Sequence, residues 1–506
     1  DAYIQIGKTS VEAPDLRFYL SYPEGTELLQ TVDQVIRSFQ AFEKKLKYQP
    51  WFQAQVIFSY YHLIRDSYRN CYVIRFFLTF QKALYSTHID YSGLLLRLWQ
   101  EATYDIGELL TISNEEFQES HTNPFGFGCE DIVEFPEPQN AFEDLYQYQS
   151  VTKDWLFGYL SYDLKNDIEK LQSNNFDGLH FPDLFFFQPK KLFLLKENEL
   201  EIKYLNFVDD EIEYDFNEII NYELSITNYE SEIKINQQIS KEKYLEKVQK
   251  MLDYIHRGDI YEANFCMEFY ADEVKINPLE VYQKLNNISE PPFAVYFKNN
   301  NQYLFSASPE RYLRKEGNKV ISQPIKGTAR RGANYEEDNE LKTNLEQNEK
   351  ERSENIMIVD LVRNDLSHTA SKGSVEVEEL CKVYTFKQVH QMISTITSNI
   401  ENSISPIEVI RSTFPMGSMT GAPKISAMKI IEELEETKRG LYSGAVGYFT
   451  PTGDFDFNVV IRSILYNTEN QYVSFSVGSA ITSKSIPENE YEECLVKAKA
   501  MFEVLS

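Results

Sequence analysis

Cysteine is scarce in this 506-residue chain and shows no pairing pattern. The five cysteines are Cys71, Cys129, Cys266, Cys381 and Cys494. Their number is odd, they are scattered, and no Cys-x-x-Cys pair occurs. That excludes a thiolate metal site and suits a reducing compartment. Cys129 lacks the flanking glycines of a nucleophile elbow, so it reads as structural. Positive charge is also short: 50 Lys and Arg face 78 Asp and Glu, a formal net charge of −28. A surface of that sign argues against nucleic acid or an anionic membrane as the main partner. There is no run of 18 apolar residues and no signal peptide, so a soluble cytoplasmic protein is expected. Internal repeats and low-complexity tracts are missing too. What remains is a globular composition, 42% apolar and 25% charged, enough for a large core.

Three regions are expected. Residues 1–110 carry no chemical motif and read as an α-rich packed region. Helical spacing is seen from Glu27 to Lys47 and from Trp51 to Trp99, with Val73–Leu78 ambiguous. Residues 111–235 open on a loop or linker over Ser113–Gln139. They continue as strands near 155–162, 182–187, 192–195 and 199–206 and end in a polar connector over Glu211–Gln237. From 236 to 506 the pattern sharpens. Ser240 caps an amphipathic helix that stops at Gly258, and a long helix is expected over Glu336–Asp365. Helices over 426–434 and 488–505 enclose strands at 443–450, 457–466 and 472–479.

Chemistry concentrates in this last region. Lys326 lies in Gln323-Pro324-Ile325-Lys326-Gly327-Thr328, and Glu310 lies sixteen residues before it. The intervening stretch turns at Gly317-Asn318 and predicts a hairpin that draws acid and amine together, a pairing suited to acid and nucleophile roles. A turn lysine and a surface glutamate are the other reading. Glu351 and Glu354 share one helix face, as do Glu490, Glu493 and Lys497 on the last helix. Carboxylates turned inward in this way need a cation, and hard oxygen ligands suit Mg²⁺. Two solvated faces of an acidic protein would show the same spacing. The loop Pro415-Met416-Gly417-Ser418-Met419-Thr420-Gly421-Ala422-Pro423-Lys424 precedes a helix and fits an anion cradle. Phe475-Ser476-Val477-Gly478 lets a ligand approach the backbone.

Taken together, Gly258-Asp259-Ile260-Tyr261, Ser308-Pro309-Glu310-Arg311, Pro324-Ile325-Lys326-Gly327-Thr328, Asp360-Leu361-Val362-Arg363-Asn364-Asp365, Gly421-Ala422-Pro423-Lys424 and Tyr442-Ser443-Gly444 resemble the chorismate-utilising enzymes. The likeness is dense from about 240 to 506, weaker over 140–235, and lacking before about 110. It implies an α+β fold of two packed antiparallel β-sheets flanked by helices. Within that family the aminodeoxychorismate synthases carry Lys at the centre of the Pro-Ile-Lys-Gly-Thr stretch, where anthranilate, isochorismate and salicylate synthases typically carry Ala. Isochorismate and salicylate synthases use a Lys at the place of Glu262; amine-adding members usually have Gln there.

The resemblance therefore implies amination of chorismate at C4, as by aminodeoxychorismate synthase component I, on the route to 4-aminobenzoate and folate. The alternatives are anthranilate synthase component I and a non-catalytic regulatory homologue. The implied roles are Lys326 as covalent nucleophile, Glu310 as acid, and His390 beside the substrate. Ser418, Tyr442, Arg462, Gly478 and Lys497 would hold the carboxylates. Mg²⁺ would be held by Glu354 and Glu493, with Glu351 and Glu490 reaching it directly or through water. A neutral Lys326 is needed for attack, with Arg330 and Arg331 as candidate neighbours to depress its pKa. No Gly-x-Cys-x-Gly elbow is present, so ammonia is expected from a separate glutamine amidotransferase subunit or is used directly.

Overall fold

A computed structural model describes residues 140–196, 199–221, 233–386 and 389–506. Before residue 140 it describes only the backbone of strands Ala2–Ser10, Ala13–Ser21, Gln55–Asp66, Cys71–Gln81, Glu108–Ser113 and Asn123–Phe135. The chain divides into two compact units: residues 1–111, 118–128 and 189–227, and residues 112–117, 129–188 and 228–506.

The first unit is an antiparallel sheet. Its strands run in the order Gln55–Asp66, Cys71–Gln81, Ala13–Ser21, Ala2–Ser10 and Glu199–Tyr204, followed by the second half of Leu184–Lys196. The alternation of Leu200, Ile202 and Tyr204 turns one face inward. There, with Phe193 and Leu195, these residues pack under Ile212 and Ile219 of the helix Ile212–Asn221. Three expectations are corrected. Trp51–Trp99 contains two long strands rather than helix, because its β-branched and aromatic residues fit a pleated sheet. The loop expected over Ser113–Gln139 contains the strand Asn123–Phe135. The connector over Glu211–Gln237 contains the helix Ile212–Asn221, whose apolar stripe outweighs its acidity. The helix expected over Glu27–Lys47 lies outside the described residues.

The second unit is the α+β body. One antiparallel sheet runs Phe293–Asn299, Gln302–Ser308, Ser463–Asn467, Tyr472–Thr482, Glu262–Ala271. Short strands Asn236–Gln237 and Gly421–Ala422 complete its edge. The other sheet runs from residues 184–187 through Leu156–Leu160, Ala445–Phe449, Phe455–Val459, Arg311–Glu316, Lys319–Gln323 and Val389–Asn399 to Glu376–Thr385. Ile325–Arg330 continues the hairpin along Val389–Asn399. The two sheets pack face to face. Phe297 of the first meets Tyr159 and Phe185 of the second at ring separations of 5.4 and 5.7 Å, both edge-on.

Helices flank this sandwich. Lys241–Arg257 forms as its pattern predicts: the Ser240 side chain accepts from the Lys243 N–H, and Gly258, at φ +90°, ends it in the left-handed region. The single helix expected over Glu336–Asp365 is two, Tyr335–Gln347 and Glu349–Ser367. Asn348 breaks it: its side chain captures the Lys350 and Glu351 N–H groups and starts a second helix. Likewise the strand expected over 457–466 is two strands, Phe455–Val459 and Ser463–Asn467. Arg462 between them takes φ +53°. The first break lies three residues before Glu351 and the second falls at Arg462, both candidate site residues.

Candidate active site

The hairpin does what its spacing promises. Arg311–Glu316 pairs with Lys319–Gln323 through Arg311↔Gln323, so Glu310 and Pro324 leave its open end side by side. Glu310 is 5% exposed. Burial pushes its carboxyl up to about 7, against the Ser418 hydroxyl, the Lys326 ammonium and Lys497, all of which favour the anion. It is thus an acid that holds its proton near neutral pH.

Lys326 projects from Ile325–Arg330 into a cluster of carboxylates. Its Nζ is 3.3 Å from Glu262 Oε1, with the two side chains 14% and 2% exposed. Burial opposes its charge, but Glu262, Glu354 and Glu310 outweigh that and hold the ammonium above the usual lysine range. The expected cationic neighbours are elsewhere. Arg330 pairs with Glu337, and Arg331 forms a two-pronged pair with Asp338. Both face the helix Tyr335–Gln347, so neither depresses the lysine's pKa.

Three features fix this lysine, and the sequence pattern revealed only one. Gly327 has φ +97°, and a side chain there would press within 3.2 Å of Glu351 Oε2. Asn355, buried one turn beyond Glu351, donates to the Lys326 and Met392 carbonyls. Its Oδ1 accepts from Ser394. The glycine was legible in the motif; Asn355 and Ser394 carried no signal, since their roles depend on strands distant in sequence.

The four glutamates come from two helices, Glu349–Ser367 and Pro487–Leu505. Burial raises the Glu354 carboxyl to about 7, and its Oε1 has no hydrogen-bond donor. Burial and the Glu493 charge raise Glu351. Glu493 is lowered: burial works against it, but Lys497, at 2.7 Å, prevails. Lys350 feels all four carboxylates and is raised despite burial. Among the described residues no three such side chains are drawn together into a preformed metal cage. The donor set is nonetheless all oxygen, and Glu354 Oε1 is buried without a hydrogen bond, its nearest cation being Lys350 at 3.7 Å. That chemistry fits a divalent ion that keeps much of its water.

The cationic side adjoins these carboxylates through the Lys497–Glu493 pair. Lys497 Nζ donates to the Gly478 carbonyl at 2.8 Å. Gly478 is itself required: a side chain there would lie 2.6 Å from Cys266 Sγ and 2.8 Å from Asn264 Oδ1. Arg462 donates to the Lys497 carbonyl at 3.4 Å. Burial weakens its hold on its proton, while Tyr442 and Glu493 oppose that. Tyr442 is buried with its hydroxyl 4.0 Å from Cys266 Sγ, and burial pushes it well above the usual phenol range. Ser418, in the short turn Gly417–Met419, is buried against Glu310.

Two expected participants have their polar atoms engaged within the protein. His390 is fully buried, and both ring nitrogens are engaged, with Thr385 Oγ1 and Asp338 Oδ1 at 3.0 Å each. It ties Tyr335–Gln347 to the strand beside Ala329. Lys424 binds Asp365 at 2.7 Å and the Thr413 carbonyl at 3.1 Å, anchoring its loop to Glu349–Ser367 rather than facing the pocket.

A family model described as chorismate binding enzyme matches residues 98–503. The chain belongs to the chorismate-binding enzyme family. Among similar family proteins is aminodeoxychorismate synthase component 1 of Bacillus subtilis, 33% identical over 68% of this chain and 75% of that protein. Anthranilate synthase component 1 of Thermus thermophilus is 33% identical over 69% and 76%. The probable chloroplastic aminodeoxychorismate synthase of Oryza sativa is 42% identical over 53% of this chain; the matched part spans 30% of that longer protein. Anthranilate synthase component I from Streptococcus pneumoniae shares the fold at TM-score 0.68, with 24% identity over 83% of this chain and all of that one. Relatives named for each amination type match at 33% identity over about two thirds of this chain, so the product must be argued from the site.

Proposed function

We propose that the protein aminates chorismate at C4 to give 4-amino-4-deoxychorismate, as aminodeoxychorismate synthases do. The observation that carries this reading is Lys326 itself. A half-buried amine within electrostatic reach of the buried acid Glu310 is a nucleophile and proton-donor pair, and an alanine there would leave only the acid. Lys326 Nζ bonds to C2 of the ring, the double bond shifts, and the 4-hydroxyl leaves as water with the Glu310 proton. Ammonia then adds at C4, the C2–Nζ bond breaks, and the excess proton on the new amine returns to Glu310.

Arg462, Lys497, Tyr442 and Ser418 supply the charge and hydrogen bonds for the two carboxylates of chorismate, beside the Gly478 backbone. Glu354 and Glu493, with Glu351 and Glu490, would hold Mg²⁺. When bound, Mg²⁺ supplies positive charge to the ring carboxylate. His390 positions the strand that carries Lys326 through its bonds to Thr385 and Asp338. Ammonia is supplied by a glutamine amidotransferase partner or by ammonium in solution, in the cytoplasm.

Incubation with chorismate, Mg²⁺ and an ammonium salt tests the reading. The expected product becomes 4-aminobenzoate only after an aminodeoxychorismate lyase is added. Fluorescent anthranilate formed without the lyase would sink it.

A further inference from the structure

The proposed reaction needs a neutral Lys326, yet the site holds this lysine as an ammonium. Its surroundings include Glu262 on the strand Glu262–Ala271, Glu354 on the helix Glu349–Ser367 and Glu310 at the mouth of the hairpin, and Glu351 and Glu493 also feel its charge. A buried ammonium sheds its proton only if an acceptor lies within reach. Glu310 cannot serve, since it must arrive at the reaction protonated. Glu354 belongs to the cation-binding set. Glu262 is left, and among the described residues it is the one carboxylate in ion-pair contact with Nζ, at 3.3 Å.

The geometry points to Glu262 as the proton acceptor that converts the Lys326 ammonium into the attacking amine. This role rests on the C4-amination reading above and adds a catalytic residue to it.

Glu262 is built for a short transfer. Its strand is paired on both sides, to Thr482 and to Ala422, which fixes the side chain's origin. The close approach depends on Gly421, where a side chain would fall 2.2 Å from the Glu262 carbonyl. One carboxylate oxygen faces Nζ. The other, Oε2, is buried with no hydrogen-bond partner. A purely structural ion pair would satisfy both oxygens, because an unpaired buried acceptor is costly. An acceptor that alternates between anion and acid need not.

Excluding water from the pocket also favours the transfer, since a neutral amine and a neutral acid tolerate a dry site better than two charges. The protons balance. Glu262 takes one from the ammonium, Nζ attacks C2 as the free amine, and departure of Nζ regenerates that amine. Glu262 then returns the proton, leaving the pair as it began.

The test follows formation of the chorismate–Lys326 adduct without ammonia, by rapid quench and peptide mass spectrometry. Wild type, Glu262→Gln and Glu262→Asp are compared at saturating chorismate. Chorismate affinity and thermal melting are measured for each. Wild type is expected to form the adduct. Glu262→Gln is expected to form it about 100-fold more slowly, the usual scale of a lost general base. Below about pH 7, where Glu310 keeps its proton, its rate should climb with pH, because the lysine must now lose its proton to solvent. Glu262→Asp retains a carboxylate and should recover part of the rate.

A structural or electrostatic role predicts the opposite order. Gln keeps the shape, and removing the negative charge makes Lys326 easier to deprotonate. Adduct formation in Glu262→Gln at or above the wild-type rate, or above that of Glu262→Asp, would overturn the proposal alone. No Lys326 adduct in wild type would overturn the covalent reading on which it depends.

Discussion

Glu310 and Lys326 show how two residues in one pocket acquire opposite chemical characters. Burial without a strong partner makes Glu310 a proton donor; burial among three carboxylates makes Lys326 a charged base. Adduct formation, which needs no ammonia, should fall as pH rises through about 7, where Glu310 loses its proton. A pH–rate profile still level at pH values well above that would assign the acid elsewhere. The same shift lies above the ordinary glutamate value. Its contribution to folding is therefore present below that value and lost as pH rises through about 7. Gly327→Ala places a side chain at φ +97° against Glu351. It should cost about 1–2 kcal/mol in stability and displace Lys326, read by denaturant melts and the adduct rate. Lys326, Glu310 and Gly327 were legible because turn chemistry and hairpin spacing are local. The ammonium character of Lys326 was not, since Glu262 and Glu354 reach it from other elements.

At the scale of elements, helix ends place the chemistry. Asn348 starts the helix that presents Glu351 and Glu354, and a continuous helix from Tyr335 would turn those carboxylates elsewhere. Asn348→Ala removes the cap and should lower stability by about 1 kcal/mol, with weakened Mg²⁺ dependence of turnover. Unchanged melting and unchanged metal dependence would show the break is set by something other than its side chain. The helical period over 336–365 concealed the break, because both halves keep compatible spacing and only the side-chain capture at Asn348 separates them. The strand break at Arg462 was hidden similarly: apolar residues run through it, and nothing local signals a positive φ for an arginine. Lys241–Arg257, with Ser240 and Gly258 at its ends, was read closely because its cap, stripe and stop all agree.

Over the whole molecule, the sheet sandwich of the second unit is a rigid frame from which loops and helix ends meet. Phe297, Tyr159 and Phe185 join its two sheets, all fully buried. Phe297→Ala should destabilise the protein by about 3–5 kcal/mol in chemical denaturation, with little direct effect on the chemistry. A loss below 1 kcal/mol would mean the sheets are held chiefly elsewhere. The α+β class was legible beyond residue 236, where motif order and hydrophobic period coincide. Before residue 140 it was misread, because aromatic-rich strands such as Gln55–Asp66 and Cys71–Gln81 imitate helical spacing. The account as a whole depends on one side chain directing nitrogen to C4. The most direct measurement is the C4-amination rate of Lys326→Ala, with chorismate, Mg²⁺ and ammonium, on protein whose fold and chorismate binding are intact. The account predicts that 4-amino-4-deoxychorismate formation falls to background; amination at C4 at the wild-type rate would contradict it.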